Sequence, residues 1–238
     1  MPDSAILTVD DHRDLRVRTD HGPDLGDAVM CALVMPDEFR RVQQDYPILF
    51  RLDAERDHFT ALAMFGFENG ENLFLDGRRW DAGYRPLALD IQPFLIGGSA
   101  EDDAPRQVHI DLASPRIAAG EGMRVFDEDG RPTPYLEGMV DKLGALDAGY
   151  RGSGAFFAAL RRHHLLEPLA LEITLEDGST NRLVGFHVID EAKLEALDGV
   201  VLGELHEAGQ LMPIFMAVAS LGRITDLIAR KNKRNGHG

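Results

Sequence analysis

Apolar and polar residues alternate most clearly in "LALEITLEDGSTNRLVGFHVID". Every second position is apolar on both sides of an Asp-Gly pair, the pattern of a β-hairpin with one buried face. Three more strands are predicted in close succession from "YPILFRLD", "HFTALAMFGF" and "NLFLD". Asn69-Gly70 and Asp76-Gly77 separate or close them, and such dipeptides supply the positive φ that tight turns need, so the spacing predicts an antiparallel meander. Residues 28–35 read as a strand buried on both faces. "QVHIDLA" reads as a further strand, followed by a hairpin around "FDEDGRP".

Helical spacing takes over in the second half. "TPYLEGMVDKLGALDAGY" and "SGAFFAALRRHHLL" predict two helices, broken at Gly152 and restarted with Ser153 as N-cap. A shorter helix, "PDEFRRVQQDY", opens at Pro36 with acids in its first turn. Short helices are expected over 190–208, and a last one from near Pro213 to the basic end "ARKNKR". Residues 1–27 read as a loosely ordered acidic arm with one short strand, "DLRVR". Residues 97–106, "GGSAEDDAPR", are linker-like. The expected class is α+β: an antiparallel β meander in the N-terminal half, helices plus a β-hairpin in the C-terminal half. Residues 28–238 are expected to form one domain.

Composition narrows the partners. The 44% hydrophobic and 27% charged content is that of a soluble globular chain. Twenty-five Lys and Arg against 40 Asp and Glu leave a formal charge of −15, which opposes nucleic acid and anionic membranes. The basic tail, "RKNKR", is read as cations favourably placed at a helix C-terminus and trailing into a frayed end. The single cysteine, Cys31, sits in the apolar run "AVMCALVM" and reads as a small buried hydrophobe. The N-terminus lacks a basic stretch followed by an apolar core. The longest apolar run, "LMPIFMAVASLG", falls short of the roughly 20 residues that span a bilayer. A cytoplasmic protein without membrane insertion is expected.

Few residues suggest chemistry. His109 and Asp111 lie two apart on a strand and so share a face. With His187 they would complete a two-His, one-carboxylate set, the basis of an alternative reading as a metal-dependent enzyme of the non-haem iron type. Polar side chains on a surface strand are the simpler reading, and no cofactor is expected. His163-His164 after Arg161-Arg162 fit the end of a helix. The Gly-Ser-Gly of "YRGSGAFF" has neither the leading apolar strand nor the Lys-Ser/Thr of a phosphate loop. "FDEDGRP" lacks the spacing of a calcium loop. Tyr46, Trp80, Tyr84 and Arg85 make an aromatic and cationic group of the type that binds a protein or small-molecule partner when exposed, or covers a sheet face when buried.

Taken in order, "EFRRVQQDYPILF", "LFLDGRRWDAGYRP", "VFDEDGRPTPYL", "LEPLALEITLEDGS" and "LMPIFMAVASLGRITDL" make the chain resemble the SapC family, from about Glu38 to Leu227. The resemblance implies a bacterial source and one compact unit, with no catalytic motif to carry over. It also implies an accessory or binding role beside TonB-dependent uptake or flavin-dependent halogenases. A cytoplasmic factor in surface-layer assembly is the other role it implies.

Overall fold

The computed structural model describes residues 4–53, 55, 58–97, 106–118 and 120–236. The chain opens with β1 (Ser4–Ile6), α1 (Val9–His12) and β2 (Arg16–Val17), then β3 (Cys31–Val34), α2 (Phe39–Val42), β4 (Ile48–Asp53) and β5 (His58–Met64). Next come β6 (Leu75–Asp76), β7 (Arg79–Trp80), α3 (Leu87–Asp90), β8 (Phe94–Gly97), β9 (Gln107–Asp111), β10 (Ile117–Ala118) and β11 (Met123–Arg124). The second half holds α4 (Pro134–Arg162), β12 (Leu166–Thr174), β13 (Thr180–Ile189), α5 (Glu191–Glu195), α6 (Gly199–Glu207), α7 (Leu211–Ser220) and α8 (Arg223–Asn235). This is an α+β chain, with most strands in the first half and most helices in the second.

The main sheet is five-stranded and antiparallel, in the order β12-β13-β4-β5-β3. The predicted hairpin of the second half therefore completes a sheet begun in the first, His187 standing opposite Phe50. Its turn is closed by Gly178 at φ 82°, and β12 carries Pro168 where an edge strand tolerates a missing donor. Smaller sheets are β1-β9-β8, β10-β2-β11 and the β6-β7 hairpin. Two apolar clusters result. The larger joins the five-stranded sheet to α7 and the end of α4 through Phe39, Phe50, Phe65, Leu160 and Ile214. The smaller gathers Val17, Phe94, Ile110, Val125 and Leu143. Helix α4 contributes to both.

Several expectations change. The segment 4–27 is not a loose arm: β1 pairs with β9, β2 pairs with β10 and β11, and Val17, Leu25 and Asp27 are buried. Strand β3 is shorter than 28–35, and its side chains alternate between buried and half-buried. "NLFLD" does not extend the meander. Asn69-Gly70 turns the chain so that the Leu73 amide donates to the Phe65 carbonyl at 2.8 Å, and Asp76-Gly77 closes only the short β6-β7 pair.

Helix α4 runs unbroken through Gly152. Thr133 caps it by accepting from the Leu136 amide, Pro134 occupies its first turn, and Ser153 donates to the Tyr150 carbonyl at 2.7 Å from inside it. The last helix, in contrast, divides at Leu221-Gly222. By length and composition Leu211–Asn235 could cross a bilayer, a longer stretch than the apolar run alone suggests. Here its inner residues Ile214, Ala217 and Leu227 lie in the larger cluster. Most of the linker-like stretch, residues 98–105, lies outside the described residues.

Candidate functional site

A cavity of about 750 Å³ opens between α4 and the β3–β5 edge of the main sheet. Leu33, Val34, Phe59, Phe157 and Ala158 give it apolar walls. Strand alternation and register turn Val34 and Phe59 to one face of the sheet, and Tyr150, Gly154, Phe157, Ala158 and Arg161 recur at helical intervals along α4. His58, Thr60, Ser153 and Arg161 also line it, and at one end Asp147 binds Arg106 at 3.0 Å and Arg151 one turn along the helix at 2.6 Å. One carboxylate thus meets two guanidiniums. A second cavity of about 290 Å³ shares Leu33, Met35, Arg106, Asp147 and Tyr150 with the first and continues between α4 and Leu95 and Ile96 of β8. Volumes of this order fit a small-molecule ligand.

None of these residues stands out in the sequence. Phe59 and Phe157 look like any core aromatics, and Arg106 belongs to the linker-like stretch. The one legible signal was Asp147 and Arg151, four apart and so neighbours on one helix face.

The predicted aromatic group lies elsewhere and is mostly internal. Tyr46 is fully buried and Trp80 is 9% exposed, both in the larger cluster. The Trp80 indole donates to the Tyr46 hydroxyl at 2.7 Å, and that hydroxyl donates in turn to the Tyr84 carbonyl. Phe65 and Phe74 pack edge-on against Tyr46. Half-buried Tyr84 donates to Glu38 Oε1 at 2.8 Å, with the Arg41 guanidinium over its ring. Burial and the Glu38 charge push the phenol pKa up, so it stays a donor. Arg85 lies 5.4 Å from the Trp80 ring centroid and reaches inward to Asp27 at 2.7 Å. The structure brings all four together, but as a hydrogen-bonded core cluster and not as an exposed contact surface. With His21 and Phe65 as T-shaped neighbours and a phenol to accept its N–H, Trp80 is satisfied inside.

The basic tail also differs from expectation. Arg230 binds Asp81 at 3.0 Å and lies over the Phe74 ring, Lys231 binds Glu71 at 2.6 Å and Glu68 at 3.2 Å, and Arg234 donates to the Asn72 and Leu75 carbonyls. These cations clamp α8 onto residues 68–81.

His109 and Asp111 sit on β9 and His187 on β13, in different sheets. His109 faces Leu95 and Ile6, while His187 packs edge-on against Phe59, its pKa pushed down by burial. The structure does not unite these three residues. Among the described residues no three His, Cys, Asp or Glu side chains are grouped to hold a metal ion. Burial pushes the Cys31 thiol up, away from the reactive thiolate.

No curated protein and no solved structure matches the chain. A family model does, over residues 7–227, and it takes in most of the N-terminal segment as well as both walls of the cavity. On that match the chain belongs to the SapC family.

Proposed function

We propose that this protein is a non-catalytic accessory protein that binds a small apolar molecule between α4 and the main sheet. The cavity of about 750 Å³ is the observation that carries the reading. Its walls are mostly hydrocarbon, which holds a ligand by removing apolar surface from water. One side rests on a strand and the other on a 29-residue helix anchored in both apolar clusters, so the walls are set before a ligand arrives. A role beside TonB-dependent uptake or a flavin-dependent halogenase is what the family resemblance adds.

Gly154 offers a direct test. It lines the cavity from α4, and a Cβ built on it meets nothing within 4 Å. Gly154→Leu therefore fills the cavity while giving the helix a better former. Binding of the neutral fluorophore 1-aminoanthracene should weaken about tenfold or more, with a melting temperature at or above that of the parent. Tight binding that ignores the substitution would sink the proposal.

A further inference from the structure

We infer that the occupant of this cavity is an elongated carboxylate amphiphile, with its head on Arg106 and Arg151 and its chain along α4. The inference rests on the cavity reading above and adds the ligand's chemical class.

Charge supplies the first argument. Asp147 is the single acid bound to both Arg106 and Arg151, so this trio holds one more positive than negative charge at the edge of an apolar space. The chain as a whole carries −15. Among the described residues that line it, three arginines stand against one acid, which sets the cavity apart on so acidic a protein. A carboxylate would neutralise the trio's excess, and the planar guanidinium fork suits a carboxylate in two-point contact. The side chain of Arg151 is 61% exposed, so it can turn toward a ligand without leaving a buried gap.

Shape supplies the second. The two cavities share Arg106 and Asp147, which places this ion pair at a waist between two apolar lobes, with Arg151 lining the larger one. The larger lobe follows α4 from Asp147 to Arg161, roughly 20 Å at 1.5 Å per residue. An apolar lobe of that length, with the ionic trio at one end and Arg161 at the other, fits a chain better than a compact ring system. The head would sit at the waist, and the chain would run past Phe157 and Ala158.

The experiment compares dodecanoate and dodecyltrimethylammonium below their critical micelle concentrations with dodecanol below its solubility limit, by displacement of 1-aminoanthracene. Dodecanoate should bind about tenfold more tightly than dodecanol, and the ammonium more weakly than either. The double variant Arg106→Gln, Arg151→Gln should erase the difference between acid and alcohol while leaving dodecanol binding intact. Arg151→Gln alone, at an exposed position, should shrink it and serves if the double variant does not fold. Equal binding of acid and alcohol, or an acid preference that survives in these variants, overturns the carboxylate assignment while leaving the apolar cavity standing. Failure of 1-aminoanthracene and of all three amphiphiles to bind overturns both.

Discussion

Arg116, 1% exposed, donates from Nη2 to Asp27 Oδ1 at 2.6 Å and so joins segments 89 residues apart. Asp27 is fully buried, and its other oxygen accepts from the Gly22 amide at 2.9 Å. Arg85 donates to the same Oδ1 at 2.7 Å. Removing the anion leaves Arg116 enclosed without its counter-charge, and Arg85 with only Asp90 at 3.5 Å. Asp27→Ala should destabilise the fold by about 3–5 kcal/mol in a urea melt. The exposed pair Arg78–Asp24 is the control, and Asp24→Ala should shift the urea midpoint far less. Equal effects would mean that Asp27 is not the keystone of this contact.

His21 stands 3.8 Å from Asp27 with its Nδ1 buried and unpartnered. Burial first, then the neighbouring Arg85 and Arg116, push its pKa down, against the opposing pull of Asp27 and Asp90. The folded protein therefore binds this proton less readily than the unfolded chain. Stability from His21 is present above the ordinary imidazole pKa of about 6.5 and is lost as the pH falls through the lowered folded value. Urea midpoints at pH 7.5 and pH 5.5 should fall further for the parent than for His21→Gln. A parallel fall would remove His21 as the cause.

Tyr46→Phe deletes one oxygen and strands two groups, the Trp80 N–H and the Tyr84 carbonyl. A loss of about 1–3 kcal/mol is expected, because the apolar packing of the ring is retained. Trp80 is the chain's single tryptophan, so its emission reports on the site directly. In the parent it should resist quenching by acrylamide. Ready quenching would return Trp80 to the surface.

Two glycines of α4 should respond in opposite directions to Ala. At Gly152 a Cβ meets nothing within 4 Å, so Gly152→Ala should stabilise the helix by up to about 1 kcal/mol, or roughly 2–4 °C in melting temperature. At Gly149 the same atom lands 3.0 Å from Cβ and Cγ of buried Met35, so Gly149→Ala should lower it. Destabilisation at Gly152 would argue for a break there.

Strands were the most legible feature, since β9 and the β12-β13 hairpin follow period-two patterns and β4 and β5 are apolar runs. Features decided by distant partners were not legible. Gly152 reads as a helix break until the surrounding helix proves long enough to carry it. Asp27 looks like one more acid in an acidic segment until Arg85 and Arg116 close on it. Trp80, Tyr84 and Arg85 look ready for a partner because the partners they have, Tyr46, Glu38 and Asp27, lie well upstream. The cavity was the least legible of all. A gap between α4 and the sheet has no sequence signature, only residues that would look the same if they touched.

The order β12-β13-β4-β5-β3 also bears on how the molecule is made. During synthesis β3, β4 and β5 leave the ribosome long before β13, yet β4 finds its second neighbour only in β13. Until then the nascent chain carries an open strand edge whose first three residues, Ile48, Leu49 and Phe50, are ones the finished sheet buries. Such an edge invites pairing with another chain. Vectorial synthesis thus leaves the centre of this sheet as its last gap to close, joined only when the second half arrives.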